Sequence, residues 1–85
     1  MYRILFTKQA DRALRRMPLG SAKLIREKID RIAEDPYARH GNTIKLKNRP
    51  GCRLRVGKWR VIYEIKQEEV VILVLKIAAR GEIYR

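Results

Sequence analysis

Three arginines are spaced so that their side chains meet on one face of a predicted β-hairpin. In the alternating stretch CRLRV, Arg53 and Arg55 lie on the same side of a strand. If Gly57-Lys58 forms a two-residue turn, Arg55 lies directly across from Arg60 in the next strand. Like charges that face each other across strands cost stability, so a purely structural sheet would favour a glutamate there. We therefore expect a basic cluster that binds phosphate, with a solvated face of a basic protein as the alternative.

Two further side chains with useful chemistry follow the last apolar run of the chain. Arg80 comes directly after this run, which is expected to hold it rigidly, and Tyr84 lies four residues later. Gly81 between them allows the chain to turn back over the sheet. A phenol beside several guanidinium groups has its anionic form favoured, which suits Tyr84 to proton transfer. The alternative is that the Tyr84 ring only packs against the sheet edge.

Lys45 and Lys47 form a second alternating basic pair, in the polar segment before the hairpin. Because they alternate and precede the arginines, both side chains are predicted to point the same way and fold over the cluster. In this reading they bind phosphate groups of a nucleic acid. A basic, solvated loop is the alternative.

Charge and composition limit the possible partners. The 85 residues carry 21 Lys and Arg against 9 Asp and Glu, a formal charge of +12. Such an excess of positive charge favours nucleic acid as the first candidate partner, an acidic protein as the second and an anionic membrane as the third.

No apolar stretch approaches the length of a membrane span or the pattern of a secretory signal. Cys52 is the only cysteine, which excludes an internal disulfide and fits a protein of the reducing cytosol. His40 is the only histidine and there is no Cys/His cluster, so the sequence does not predict a zinc site.

The elements that must position these side chains can be read from periodicity. YRILFT predicts a short strand that ends at Thr7, which caps a helix. Pro and Gly in MPLGS break that helix, Ser21 is predicted to cap a second one, and Asp35-Pro36 ends it. Three strands then follow a loop with a possible extended piece at IKLK, and the last strand is apolar enough to be central. We predict one α+β domain over residues 1–85, an antiparallel sheet with a helical hairpin on one face.

The segments CRLRVGKWRVIYEI and VVILVLKIAARGEIYR, together with YRILFTKQADRAL and IKLKNRPG, resemble the RelE/ParE superfamily of bacterial and archaeal toxins. The resemblance covers essentially the whole chain, and RLRVGKWRVIYEI with the terminal Arg and Tyr carries it most specifically. It implies a fold like that of small microbial ribonucleases. It also implies an acidic or mixed-charge, RelB-like antitoxin that wraps the toxin in a hetero-oligomer.

Similarity to the RelE branch implies a cytoplasmic endoribonuclease that cleaves mRNA on the ribosome without metal or other cofactor. In that chemistry the ribose 2′-hydroxyl attacks the adjacent phosphate. Arg60 and Arg80 would stabilise the developing charge, and Tyr84 would move a proton. The basic positions for RNA binding would be filled by Lys45, Lys47, Arg53 and Arg55.

Two departures from the branch leave other functions open. Many relatives have Gly-His or Gly-Lys before the terminal arginine, where this chain has Ala78-Ala79. Its first-strand residues Arg53 and Arg55 stand where lysines are found, and arginine cannot easily act as a base. The alternatives are a ParE-like, non-catalytic inhibitor of DNA gyrase and a homologue that has lost activity. The ParE branch generally lacks this basic set with a terminal tyrosine.

Overall fold

Two helices and five strands build the protein, as described by a computed structural model for residues 1–83. The order confirms the predicted strand, helical hairpin and following strands, and the extended piece at IKLK is a short strand. In this part of the chain, neither helix is long and apolar enough to cross a membrane. The elements are β1 (Arg3–Phe6), α1 (Lys8–Arg16), α2 (Leu19–Glu34), β2 (Thr43–Lys45), β3 (Cys52–Val56), β4 (Trp59–Lys66) and β5 (Val71–Ala79).

The first helix begins as the sequence predicts. Thr7 is its N-cap, and the Thr7 hydroxyl accepts a hydrogen bond from the Ala10 backbone N–H at 3.2 Å. The same hydroxyl donates to the Leu75 carbonyl of β5 at 2.7 Å. The start of α1 is therefore joined directly to the sheet.

The second helix begins earlier than predicted, so the assignment of Ser21 as its cap is wrong. Pro18 occupies the cap position with a φ of −55°, and Leu19 is the first helical residue. The Pro18 carbonyl accepts a hydrogen bond from the Ala22 N–H at 3.1 Å. The Pro18 side chain has no hydrogen-bond acceptor, so α2 begins without a side-chain cap.

The strands form one open sheet in the order β1-β5-β4-β3-β2. The apolar β5 therefore has a neighbour on each side, as its sequence predicts. The sheet differs from the expectation in one respect, because it is mixed: β1 runs parallel to β5, with Arg3 beside Val71 and Phe6 beside Val74. Alternation along a strand identifies its faces but carries no information about a partner that is distant in the sequence.

Both helices bury their apolar sides against one face of this sheet. The core consists of helix residues that recur at three- and four-residue spacing and of one face of each inner strand; its members include Leu14, Ile25, Ile29, Ile32, Leu54, Val61, Ile72 and Val74. Tyr63 also belongs to it and is 3% exposed. Its burial, and to a smaller extent the neighbouring Cys52 thiol, raises the pKa of Tyr63 well above the ordinary value. Tyr63 is therefore a neutral packing residue.

Gly51, at the entrance to β3, has a backbone conformation that other residues rarely adopt. Its φ is 109°, and a Cβ at this position would lie 2.9 Å from the Tyr63 carbonyl oxygen. We expect Gly51→Ala to lower the free energy of unfolding by roughly 2 kcal/mol, because the positive φ alone costs about 1–2 kcal/mol in an alanine. Urea denaturation of the full chain measures this difference.

Gly20→Ala is the matched control, because Gly20 lies in α2 and a Cβ there meets no atom within 4 Å. Alanine is a better helix former than glycine, so this variant in the first turn of α2 should gain at most about 0.5–1 kcal/mol, the range for a helix interior. Equal stability of Gly51→Ala and the wild type would contradict the assigned strain.

Candidate phosphate-binding site

The β3–β4 hairpin brings the predicted arginines together. Gly57 takes a φ of 56°, and the turn pairs Val56 with Trp59, which confirms the predicted register. Arg55 consequently lies across from Arg60. Arg53 lies two residues before Arg55 in the same strand and shares its face, the one directed away from the helices.

Two of these side chains are held by nearby backbone and side-chain oxygens. The Arg60 Nη1 donates to the Gly57 carbonyl at 2.8 Å and to the Trp59 carbonyl at 3.0 Å. The Arg55 Nη2 donates to Asn42 Oδ1 at 3.1 Å, and the Arg55 backbone N–H donates to the Asn42 carbonyl at 2.9 Å. These bonds fix the guanidinium groups before any ligand arrives.

The end of β5 is anchored beside the hairpin. The Gln9 side chain donates to the Ile77 carbonyl at 2.9 Å and accepts from the Ile77 N–H at 3.0 Å, so it takes the place of a neighbouring strand. Ala78 then pairs with Arg60, and its small side chain leaves room on the open face. The Arg80 N–H donates to the Lys58 carbonyl at 2.7 Å, which ties Arg80 to the hairpin turn.

These contacts create a cavity of about 310 Å³ on the open face of the sheet. Among the described residues its lining includes no carboxylate, and the lining residues are Arg53, Arg55, Arg60, Arg80, Gly81 and Ile83. The Nε atom of Arg53 is buried and has no hydrogen-bond acceptor within residues 1–83. A buried donor without an acceptor is costly, more so on a charged group. The arrangement is suited to an anion that carries several oxygen acceptors.

The other predicted site residues are placed differently. Lys45 pairs with Cys52 and so lies on the opposite face from Arg53, while Lys47 lies exposed in the segment after β2. Neither lysine lines the arginine cavity, so the expectation that both fold over the cluster is not met. Contact of these lysines with RNA stays a prediction. Tyr84 lies outside the described residues, and its role likewise stays a prediction.

Gly81 has a φ of 90° and turns the chain after β5, as the sequence predicts. Several other residues of the site were not among the predicted ones, and one of them, Ile83, is 4% exposed and lines the cavity. An apolar residue after a polar turn is a signal that could have identified Ile83. The supporting roles of Gln9 and Asn42 have no signal in the sequence, because both act through distant backbone groups.

The chemistry available to this cavity is charge stabilisation. Guanidinium groups stay protonated, bind phosphate oxygens through paired donors and cannot accept a proton at neutral pH. Within residues 1–83, no group of three or more His, Cys, Asp or Glu side chains is arranged to hold a metal ion. The described residues can therefore bind a phosphate and stabilise added negative charge, while proton transfer requires a further group.

Comparison with known proteins gives the family and the fold. Residues 4–84 match the family described as the ParE toxin of the type II toxin-antitoxin system, parDE. No curated protein sequence matches the chain.

Solved toxin structures have the same fold. The archaeal RelE–RelB complex from Pyrococcus horikoshii is 32% identical, with a TM-score of 0.80 over 95% of this chain and 97% of the other. The intact E. coli RelBE complex is 21% identical, with a TM-score of 0.81 over 96% and 100%. The isolated E. coli RelE toxin is 24% identical, with a TM-score of 0.80 over 99% and 92%. Together with the family match over residues 4–84, this similarity means that the chain belongs to the RelE/ParE superfamily of toxins from type II toxin–antitoxin systems.

Proposed function

We propose that this toxin is a metal-independent endoribonuclease that cleaves mRNA on the ribosome and so inhibits translation. The observation that carries the proposal is the cavity of about 310 Å³ lined by Arg53, Arg55, Arg60 and Arg80. Four guanidinium groups around one space, two of them held by hydrogen bonds, suit a phosphodiester, whose charge rises as a nucleophile adds to phosphorus.

The proposed reaction is an intramolecular transfer at phosphorus. The ribose 2′-hydroxyl loses its proton and its oxygen forms a bond to the adjacent phosphorus, while the bond to the 5′-oxygen breaks and that oxygen gains a proton. The products are a 2′,3′-cyclic phosphate and a 5′-hydroxyl. Arg60 and Arg80 stabilise the charge on the phosphoryl oxygens, and Arg53 and Arg55 hold the backbone. Tyr84 is the proposed proton-transfer group.

The proposed partners follow from charge and from the relatives. The related toxins from P. horikoshii and E. coli are found in RelE–RelB and RelBE complexes. For this chain, with a formal charge of +12, we propose an acidic or mixed-charge antitoxin that covers the arginine cavity. The ribosome is the proposed component that positions the mRNA, which sets the site of action in the cytoplasm.

The first test is cleavage of mRNA on programmed ribosomes by the purified toxin. We expect primer extension to reveal new 5′ ends within the codon of the decoding site, and none when ribosomes are omitted. Addition of the antitoxin should abolish cleavage, since it covers the cations that bind the substrate. Growth arrest without any new mRNA ends would overturn the nuclease proposal.

Inhibition of DNA gyrase is the second candidate, because the matching family is that of the ParE toxin. A supercoiling assay with purified gyrase separates the two functions. Inhibition of supercoiling with intact mRNA would favour this alternative, whereas mRNA cleavage with normal supercoiling would exclude it.

A further inference from the structure

A second basic cavity lies between α2 and the loop that leads into β2. Its volume is about 190 Å³, and its polar lining consists of Lys28, Arg31, Arg39, His40 and Asn42. None of these residues lines the arginine cavity. Among the described residues, its lining includes no carboxylate.

The cations of this second cavity have no acidic partner in the described part of the chain. Ion pairs within residues 1–83 include those of Asp11 with Arg15 and of Glu64 with Lys66, and in this part of the chain none involves Lys28, Arg31 or Arg39. Three positive side chains that converge without a counter-charge repel one another. This repulsion is relieved when an anion occupies the space between them.

The loop that carries three of the polar lining residues, Arg39, His40 and Asn42, is well anchored. The His40 Nε2 is hydrogen-bonded to the Asp35 carbonyl at 2.7 Å, and the Thr43 hydroxyl donates to the His40 carbonyl at 2.7 Å. Because the Asp35 carbonyl can only accept a hydrogen bond, Nε2 is the His40 nitrogen that donates in this contact. The cavity wall is therefore built before a ligand binds.

Asn42 connects the two cavities. It lines the second cavity, and its side-chain and backbone oxygens both accept hydrogen bonds from Arg55, which lines the arginine cavity. The whole molecule measures only 31 × 27 × 24 Å, so one extended polyanion can reach both cavities. A strand of RNA presents such a repeated charge, and Arg, Lys and Asn side chains are common ligands of its phosphates.

We propose that the second cavity binds phosphate groups of an RNA backbone, as an anchoring contact outside the arginine cavity. The inference rests on the proposed function in taking RNA as the ligand, but it does not require cleavage. Its residues hold the strand and take no part in the chemistry.

The test measures binding of the full chain to a short 2′-O-methylated RNA, which has no 2′-hydroxyl to attack phosphorus. Arg31→Ala/Arg39→Ala should reduce the slope of log K against log salt concentration by about 1.4, since each phosphate contact on a single strand contributes about 0.7. Arg3→Ala/Lys23→Ala removes the same charge from exposed positions that line neither cavity, and its slope should match the wild type. Equal slopes for the two double variants would overturn the proposal.

A local readout comes from His40, the only histidine of the chain. Its ring NMR signals should shift when this RNA is added to the wild type and to Arg60→Ala, but not when it is added to Arg31→Ala/Arg39→Ala. If the signals shift with an oligo-glutamate peptide and not with RNA, the cavity is a protein-binding surface and the proposal fails. If mRNA is not cleaved while the RNA-induced shift persists, the nuclease proposal fails and the second site stands.

Discussion

Replacing Arg60 by alanine is expected to slow single-turnover mRNA cleavage on programmed ribosomes by ~10²–10³, the usual cost of losing one preorganised charge-stabilising group. In the sheet, Arg60 pairs with Arg55 of β3 on one side and with Ala78 of β5 on the other. Its Nη1 is fixed by the carbonyls of Gly57 and Trp59, so the group needs no reorganisation when charge develops. Rapid-quench measurement of the cleavage rate gives the effect directly.

Two further variants define the cause of this loss. Arg60→Lys keeps the charge but lacks the planar guanidinium, which can hold both carbonyls through Nη1 and still offer its other N–H groups to a phosphate. Its rate should therefore fall between those of the wild type and Arg60→Ala. Arg3→Ala removes an exposed arginine from β1 of the same sheet and should cleave within about twofold of the wild type. An equal loss in Arg3→Ala and Arg60→Ala would show that only net charge matters, against a specific role for Arg60.

Tyr84→Phe is expected to slow cleavage by ~10²–10⁴, the range for removal of a general acid or base. The arginine cavity lacks a proton acceptor, because its guanidinium groups stay protonated. The reaction therefore needs another group for proton transfer, and the prediction assigns this role to Tyr84. Tyr63 cannot substitute, because it lies in the core between helices and sheet and burial raises its pKa. The substitution deletes only a hydroxyl, so the same single-turnover assay isolates proton transfer from ring packing.

Tyr37→Phe is the matched control for that experiment. Tyr37 is 62% exposed, and its hydroxyl donates to the Gln67 side chain at 3.2 Å, away from both basic cavities. Its cleavage rate should equal that of the wild type. If Tyr84→Phe also cleaves at the wild-type rate, Tyr84 is a packing residue and the proton is moved by another group.

The arginine cluster on the hairpin was predictable because its geometry is local. A two-residue turn at Gly57-Lys58 determines the pairing of its strands, and alternation then places Arg53, Arg55 and Arg60 on one face. The cap at Thr7 is predictable for the same reason, since the Ala10 N–H that donates to its hydroxyl lies only three residues away.

Contacts between distant segments were not predictable from local patterns. The pairing of β2 with β3 depends on the connection 46–51, whose Asn, Pro and Gly indicate a turn but do not determine the register of the two strands. The observed register places Lys45 beside Cys52 and away from the arginines. In β5, the register skips Leu75 so that Tyr63 pairs with Val74 and Ile62 with Lys76, a bulge that an almost continuously apolar strand does not reveal.

The position of β5 between β1 and β4 also sets the order in which the molecule can be completed during its synthesis. Thr7 and Leu75, 68 residues apart, are joined by a hydrogen bond that cannot form until β5 has been made. Before then, β1 has no strand to pair with, β4 can pair only with β3, and Arg80 is absent from the cavity. A nascent chain from which β5 has not yet emerged therefore does not carry the finished arginine site, and the cell that makes this toxin meets the complete site only after β5 has left the ribosome.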